Sequence, residues 1–334
     1  ELRGYRDLAG REALSKGVTA IHDAGAPFEQ IDRYRQWAAE GALPVRLYAM
    51  VGLEESNDTL EARLADYRII PSGNDFLAVR AIKRMVDGGL GARGAWLLAP
   101  YADAPDSTGL VLDPPASIER TGEIALRLGF QLDTHAIGDR ANREILDVYA
   151  RLFAAHPAPR ELRWRIEHAQ HLDPADVPRF AKLGVIASMQ GVHATSDGPW
   201  LPKRLGAQRA GAISYVWRSL FDAGAIVTNG TDAPVEDIDP IASFYSSVSR
   251  RMADGTQFHP EQAMTRAEAL RSYTLDNAYA AFDEARTGSL ERGKLADIAV
   301  LSKDILAIPV DEIPSARVDY TILGGKIAFA RVAE

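Results

Sequence analysis

Four side chains in this sequence can bind a metal ion or move a proton. Three of them lie where the sequence predicts a strand to end, and the fourth lies inside a predicted buried strand. His135 closes the segment QLDTH, His168 closes WRIEH, and Asp232 closes VTNGTD. Lys83 lies inside the apolar segment AVRAIKRMV, where a buried lysine is costly unless it is paired or neutralised. Histidine, carboxylate and a modified lysine can together hold a metal ion that activates water for hydrolysis.

Lys83 has a chemical route to becoming a metal ligand. Burial favours its neutral amine, and a neutral amine can take up CO₂ to form a carbamate. The carbamate is an anionic group whose two oxygens can bridge two metal ions. Lys83 can instead point outward between helices, since Arg80 and Arg84 show that this segment is not uniformly apolar.

The other three residues also have structural explanations. A single histidine at a strand end is often a hydrogen-bonded structural residue, and Asp232 can be the N-cap of the next helix. The order Lys, His, His, Asp at four different strand positions is hard to obtain from packing alone. This conjunction favours a metal site over four separate structural roles.

Short apolar segments alternate with amphipathic helical stretches over most of the chain. Repeated strand-then-helix units are typical of a parallel sheet with helices outside. The clearest helix, Ala141–His156, carries its apolar residues on one face, and Asp139 is its predicted N-cap. The seven predicted strands are Val18–His22, Val45–Met50, Leu77–Val86, Phe130–His135, Arg163–His168, Val185–Gln190 and Ile226–Asp232.

The predicted fold is α/β, a (β/α)₈ TIM-type barrel followed by a small β-sheet domain. A closed barrel needs eight strands, so we expect strand 1 to lie upstream of this chain, which lacks an initial Met. Beyond Leu290, two β-rich segments, Leu295–Leu301 and Asp319–Ile327, predict a separate sheet, with Gly293 and the Gly324-Gly325 pair as turns. The barrel is expected to span residues 1–288 and the small domain residues 289–334.

Composition excludes several classes of protein. The 334 residues include no cysteine, which removes disulfide scaffolds, thiolate zinc sites and cysteine nucleophiles. A net charge of −8 argues against nucleic acid or an anionic membrane as the main partner. No apolar run is long enough to span a bilayer, and the first residues do not form a signal peptide. A small-molecule substrate and a cytoplasmic location are expected.

At these residues the sequence resembles the amidohydrolase superfamily, in particular the amidohydrolase family 3 branch that contains N-substituted formamide deformylases. The matching segments follow the family order over nearly the whole chain. They are GVTAIHDAG (17–25), IKRMVDGGLGARGA (82–95), THAIGDRA (134–141), IEHAQ (166–170), MQGVHAT (189–195), NGTDAPVEDIDP (229–240) and GKLADIAVL (293–301).

The resemblance implies a role for each matching residue. Lys83 takes the place of a carboxylated lysine, and His135 and His168 take those of two metal-binding histidines. Asp232 matches an aspartate that binds metal and handles the proton of the attacking water, and His193 matches a substrate-facing histidine.

The motif positions Asp87 and Asp139 are expected to support loops around the ligands. By analogy we also expect a homodimer and a small domain that completes a composite β-sandwich.

One departure from the family pattern matters for the metal. The family's first strand ends in a His-x-His pair, and this chain has none, so we expect the family's N-terminal part to be missing. Lys83, His135 and His168 can make one site suited to Zn²⁺, whereas a second ion would keep only the shared carbamate and Asp232. A smaller departure is Gly191, where many relatives have proline.

The predicted function is metal-dependent hydrolysis of a non-peptide C–N bond in an amide, formamide or urea-like compound. Asp232 would be the general base and acid, and His193 would stabilise the oxyanion. Trp200, Arg204 and Arg209 either line the substrate pocket or are merely solvated. The alternatives are an inactive fragment or pseudoenzyme that binds ligands, and an esterase or deaminase. A sugar hydrolase would need a second carboxylate, and strand alternation turns Glu167 away from His168.

Overall fold

The computed structural model describes residues 2–52, 55–157 and 161–332. Seven strands form a parallel sheet in which each strand pairs with the next along the chain. These strands are β1 (Ala20–Ala26), β2 (Arg46–Gly52), β3 (Leu77–Met85), β4 (Gln131–Ala136), β5 (Arg165–His168), β6 (Ile186–Gln190) and β7 (Val227–Gly230). A separate antiparallel sheet contains β8 (Ile298–Leu301), β9 (Val318–Leu323) and β10 (Lys326–Ala330).

Helices connect the strands of the large sheet. Three short 3₁₀ helices cover Leu64–Tyr67, Pro260–Gln262 and Val310–Ser315. The α-helices are α1 (Leu2–Ser15), α2 (Phe28–Ala39), α3 (Asn57–Arg63), α4 (Pro115–Leu128), α5 (Asp139–Ala155), α6 (Val177–Leu183), α7 (His193–Asp197), α8 (Leu201–Leu205), α9 (Ala207–Ile213), α10 (Trp217–Asp222), α11 (Pro240–Ser249), α12 (Arg266–Tyr273) and α13 (Leu275–Ala280). None of these described helices has both the length and the apolar character needed to cross a bilayer.

The large sheet curls into seven of the eight strands of a (β/α)₈ barrel, which confirms the predicted fold. All seven predicted strands are present, although β1 starts at Ala20 and runs on to Ala26. Within the described residues β1 and β7 are the two edges of this sheet. Because every strand runs in the same direction, the carboxyl ends of all seven lie at one end of the barrel, where barrel enzymes place their chemistry.

Helix α5 corrects one detail of the sequence analysis. Its buried face includes Ile145, Tyr149 and Leu152, as the helical period predicts. The predicted N-cap was wrong, because Gly138 occupies that position and Asp139 is the first helical residue. The Asp139 carboxylate instead accepts a hydrogen bond of 2.8 Å from the backbone N–H of Leu98. It therefore ties the start of the helix to the loop that follows β3.

The small sheet packs on α1 and is joined to the barrel by a buried ion pair. Gly324 and Gly325, both with positive φ, form the predicted turn between β9 and β10. At the start of β2, Arg46 donates from Nε to Oδ2 of Asp297 at 2.6 Å and from Nη2 to Oδ1 at 3.0 Å. Both side chains are almost fully buried. The boundary between residues 288 and 289 stays a prediction.

Candidate metal centre and active site

The residues singled out for metal chemistry meet at the carboxyl end of the barrel. His135 lies near the end of β4, His168 is the last residue of β5, and Asp232 follows β7 by two residues. His193 begins helix α7, just beyond the end of β6. These side chains thus lie at or just after the ends of four consecutive strands, β4 to β7. They are therefore at the same end of the sheet, as expected for a parallel barrel.

Three of these side chains form a group that could hold a metal ion. His168, His193 and Asp232 each offer one ligand atom, and these atoms all lie within 4.8 Å of one another. Nε2 of His193 lies 3.9 Å from Oδ2 of Asp232. The rings of His168 and His193 are stacked, with their centroids 6.2 Å apart. Two imidazole nitrogens and one carboxylate oxygen are a donor set that suits Zn²⁺ and leaves a position for water or substrate.

The hydrogen bonding of His193 fits a bound cation. Its Nε2 is buried and has no hydrogen-bond partner among the described residues. A buried polar atom left unpaired costs about 1–3 kcal/mol, so native proteins seldom leave one without a function. A metal ion held between Nε2 and the Asp232 carboxylate would remove this cost. The donor set and the unpaired nitrogen therefore support the same site.

The other two predicted ligands, His135 and Lys83, lie beside this group. The His135 ring packs edge-on against the His168 ring, with centroids 4.4 Å apart. Its Nε2 has no hydrogen-bond partner among the described residues and lies 3.5 Å from Oδ1 of Asp87. Lys83 is buried in β3, opposite Asp133 in the strand register. The structure thus brings both residues to the site, and their roles as ligands remain predictions.

The backbone is strained at two of the candidate ligands. His168 has φ of 71° and Asp232 has φ of 57°, values in the left-handed region that non-glycine residues seldom adopt. Such strain persists where the surrounding structure enforces it, and it is common at functional sites. The positive φ values let the chain turn sharply at the end of β5 and just after β7, where the candidate ligand side chains lie.

Burial sets the charge of the candidate ligands. It lowers the pKa of His168 to about 3, assisted by the positive charge of Lys83. It also lowers the pKa of His135 and His193, which favours neutral rings with lone pairs for a metal. Burial raises the pKa of Asp232 to about 6, and the charge of Glu167 adds to this rise. At neutral pH Asp232 is therefore still ionised but can readily accept a proton.

Comparison with known proteins identifies the family. The chain matches the amidohydrolase family over residues 1–329. It belongs to this family. The resemblance inferred from the motifs is thus confirmed. One relative of this chain is Protein LONG AFTER FAR-RED 3 of Arabidopsis thaliana, 34% identical over 328 residues, which cover 95% of this chain and 56% of that protein.

This chain is also similar to two further proteins. The N-substituted formamide deformylase of Arthrobacter pascens is 25% identical over 320 residues, which cover 95% of this chain and 58% of that protein. The crystal structure of an uncharacterized metal-dependent hydrolase from Pyrococcus horikoshii OT3 superimposes with a TM-score of 0.79 at 28% identity, covering 92% of this chain and 61% of that one. This chain thus spans less than two thirds of the length of each of these proteins.

Asp87 organises the loops around the candidate site. Its buried carboxylate accepts three backbone hydrogen bonds, from Trp96 at 2.8 Å, Ile137 at 3.0 Å and Gly138 at 2.8 Å. Burial nevertheless raises the pKa of Asp87 to about 7, because desolvation outweighs the three donors. Asp87 thereby joins the loop after β3 to the loop after β4, directly beside His135.

Trp200, Arg204 and Arg209 contact the long loop after β3. Arg204 contacts Asp103 through Nη1 and donates two hydrogen bonds to the carbonyl of Gly91. Arg209 donates to the carbonyls of Ala99 and Pro100, at 2.9 and 2.8 Å. The ring of Trp200 lies against Gly91. All three side chains therefore hold the long loop after β3, and their part in substrate binding stays a prediction.

Gln190, to which the sequence pattern assigns no role, lies beside the candidate metal centre. It is the last residue of β6, and its Oε1 lies 2.8 Å from Nδ1 of His168. The available signal was its position at a predicted strand end, three residues before His193. The charge of Glu167 raises the pKa of both Asp133 and Asp232.

Proposed function

We propose that this chain is the catalytic barrel of a metal-dependent hydrolase that cleaves a non-peptide C–N bond in an amide, formamide or urea-like compound. The observation that carries the proposal is the convergence of His168, His193 and Asp232 at the carboxyl end of the barrel, with Nε2 of His193 buried and unpaired. Similarity to a formamide deformylase and to a metal-dependent hydrolase supports the bond type and the metal dependence.

The ligand set proposed here is His168, His193 and Asp232, with His135 and a carboxylated Lys83 as the further ligands that the family resemblance implies. Zn²⁺ is the proposed ion. When bound, such an ion lowers the pKa of water towards neutrality and polarises a substrate carbonyl. Nε2 of His193 cannot both bind the ion and donate a hydrogen bond to a substrate. We assign it to the ion because of its distance from Asp232.

The chain's own groups account for the proton transfers. The Asp232 carboxylate accepts the proton of the attacking water and later delivers it to the nitrogen of the leaving amine. Its raised pKa of about 6 suits this double role, because a base that also acts as an acid works best with a pKa near the operating pH.

The proposal is tested by incubating the zinc-loaded protein with a panel of N-substituted formamides, amides, ureas, esters and aminopyrimidines, and measuring the products. We expect a free amine together with a carboxylate or carbamate. Release of ammonia from the aminopyrimidines alone would support a deaminase, and release of an alcohol alone would support an esterase. Zinc binding without turnover of any class would contradict the catalytic proposal and favour a ligand-binding pseudoenzyme.

Metal affinity is expected to weaken about fivefold from pH 6 to pH 5, and to approach about tenfold per pH unit further below. Asp232, with its pKa of about 6, is protonated below that pH and must lose one proton to bind the ion. Burial lowers the pKa of His168 and His193, so these rings compete less with protons than free histidine does. Competition titrations with a chelator between pH 5 and 6 measure the slope.

The Asp232→Asn variant is the control for this pH dependence, since an amide does not titrate. Its affinity should be weaker than that of the wild type and nearly independent of pH in this range. A wild-type slope corresponding to two or more protons would mean that the histidines are protonated near pH 6, which would contradict the effect of burial.

A further inference from the structure

The side-chain oxygen of Gln190 is a hydrogen-bond acceptor for the buried His168 of the candidate site. Its Oε1 lies 2.8 Å from Nδ1 of His168, and its Nε2 donates to the carbonyl of Ser188 at 3.4 Å. The second contact fixes which end of the amide faces the histidine, because only the nitrogen can donate to a carbonyl. Nδ1 of His168 must then carry the ring proton.

This hydrogen bond determines which nitrogen of His168 can bind a metal ion. A neutral imidazole has one protonated nitrogen and one with a lone pair. With the proton held on Nδ1, the lone pair lies on Nε2 of the same ring. His168 shares its metal-competent group with His193 and Asp232, so Nε2 is the atom available to that group.

The backbone holds Gln190 rigidly at this place. The next residue, Gly191, donates its N–H to Oδ1 of Asn229 at 2.8 Å. A Cβ on Gly191 would lie only 2.2 Å from Oγ of Ser247, so helix α11 packs closely against the chain directly after β6. The amide of Gln190 is therefore presented from a fixed strand end, which is what orienting a ligand ring requires.

We propose that Gln190 is a positioning residue that fixes the tautomer and ring orientation of His168 for metal binding. The inference rests on the metal site of the proposed function. Hydrogen-bond partners of this kind hold a ligand ring in place, and their loss typically costs 10–100-fold in metal affinity. Gln190 contacts the histidine rather than the ion, so its effect passes through His168.

Three variants separate positioning from general stability. Gln190→Leu removes the acceptor, whereas Gln190→Glu keeps an oxygen at the same place. The matched control is Gln131→Leu. Gln131 is also a buried glutamine; it lies at the far end of β4, where it accepts from Tyr48 at 3.0 Å and donates to the carbonyl of Ala280 at 3.0 Å.

Zinc affinity of each purified protein, measured by competition with a chromophoric chelator, is the first readout. We expect Gln190→Leu to weaken zinc binding about 10–100-fold, and Gln190→Glu and Gln131→Leu to stay within about threefold of the wild type. Wild-type affinity in Gln190→Leu would overturn the inference while leaving the metal site intact. A wild-type protein that binds no zinc would instead overturn the proposed function.

The tautomer of His168 is the second readout, and it does not depend on whether Gln190→Leu folds. Long-range ¹H–¹⁵N spectra of the metal-free wild-type protein show which ring nitrogen carries the proton. We expect His168 protonated at Nδ1 in the wild type, and in Gln190→Glu as well. Protonation of His168 at Nε2 in the wild type would overturn the inference.

Discussion

Replacing Asp232 with asparagine is expected to lower kcat by about 10²–10⁴-fold, the range typical of losing a general base. Asparagine keeps the size of the side chain but cannot accept the proton of the attacking water. It is also a poorer metal ligand than a carboxylate, so zinc affinity should fall as well. Measuring kcat on a hydrolysed substrate at saturating zinc separates the loss of the base from the loss of metal.

Asp237→Asn is the matched control for this prediction. Asp237 lies on the same loop after β7, and its side chain is 67% exposed, with Nζ of Lys16 at 3.6 Å as an ion-pair partner. Its substitution should leave kcat within about twofold, because exposed ion pairs contribute little. An unchanged kcat in Asp232→Asn would remove that residue from the mechanism.

Replacing Asp87 with alanine is expected to lower the free energy of unfolding by at least about 3 kcal/mol, since three buried N–H groups lose their acceptor at about 1–3 kcal/mol each. Those donors belong to Trp96, Ile137 and Gly138, and the carboxylate that accepts from them is fully buried. Urea unfolding followed by circular dichroism measures the change in the metal-free protein.

The control for this stability effect is Asp304→Ala. Asp304 is exposed, and it accepts one backbone hydrogen bond, from Leu306 at 2.9 Å. Water can take over that donor, so the expected loss is below about 1 kcal/mol. Equal losses in the two variants would show that Asp87 does not hold the two loops together.

The fold was predictable because buried parallel strands read as short apolar runs between amphipathic helices. This pattern located all seven strands of the large sheet, and the glycine pair at 324–325 located the hairpin of the small one. The N-cap of α5 was not predictable from pattern alone. Asp139 has a residue type common at N-caps, but the distant loop residue Leu98 supplies a competing donor.

The site was predictable as a set of residues but not as a network of contacts. Polar residues at the ends of strands pointed to His135, His168 and Asp232, since parallel strands bring these ends together. The hydrogen bond from His168 to Gln190 depends on the orientation of side chains in adjacent strands, which spacing does not specify.

The central claim is that His168, His193 and Asp232 hold a catalytic metal ion, and the most direct test is the metal content of the purified chain. Elemental analysis after zinc loading and desalting should find about one zinc per chain in the wild type, consistent with a site of three protein ligands. The same analysis should find almost none in His168→Ala. No zinc in the wild type, or an undiminished content in His168→Ala, would contradict the claim.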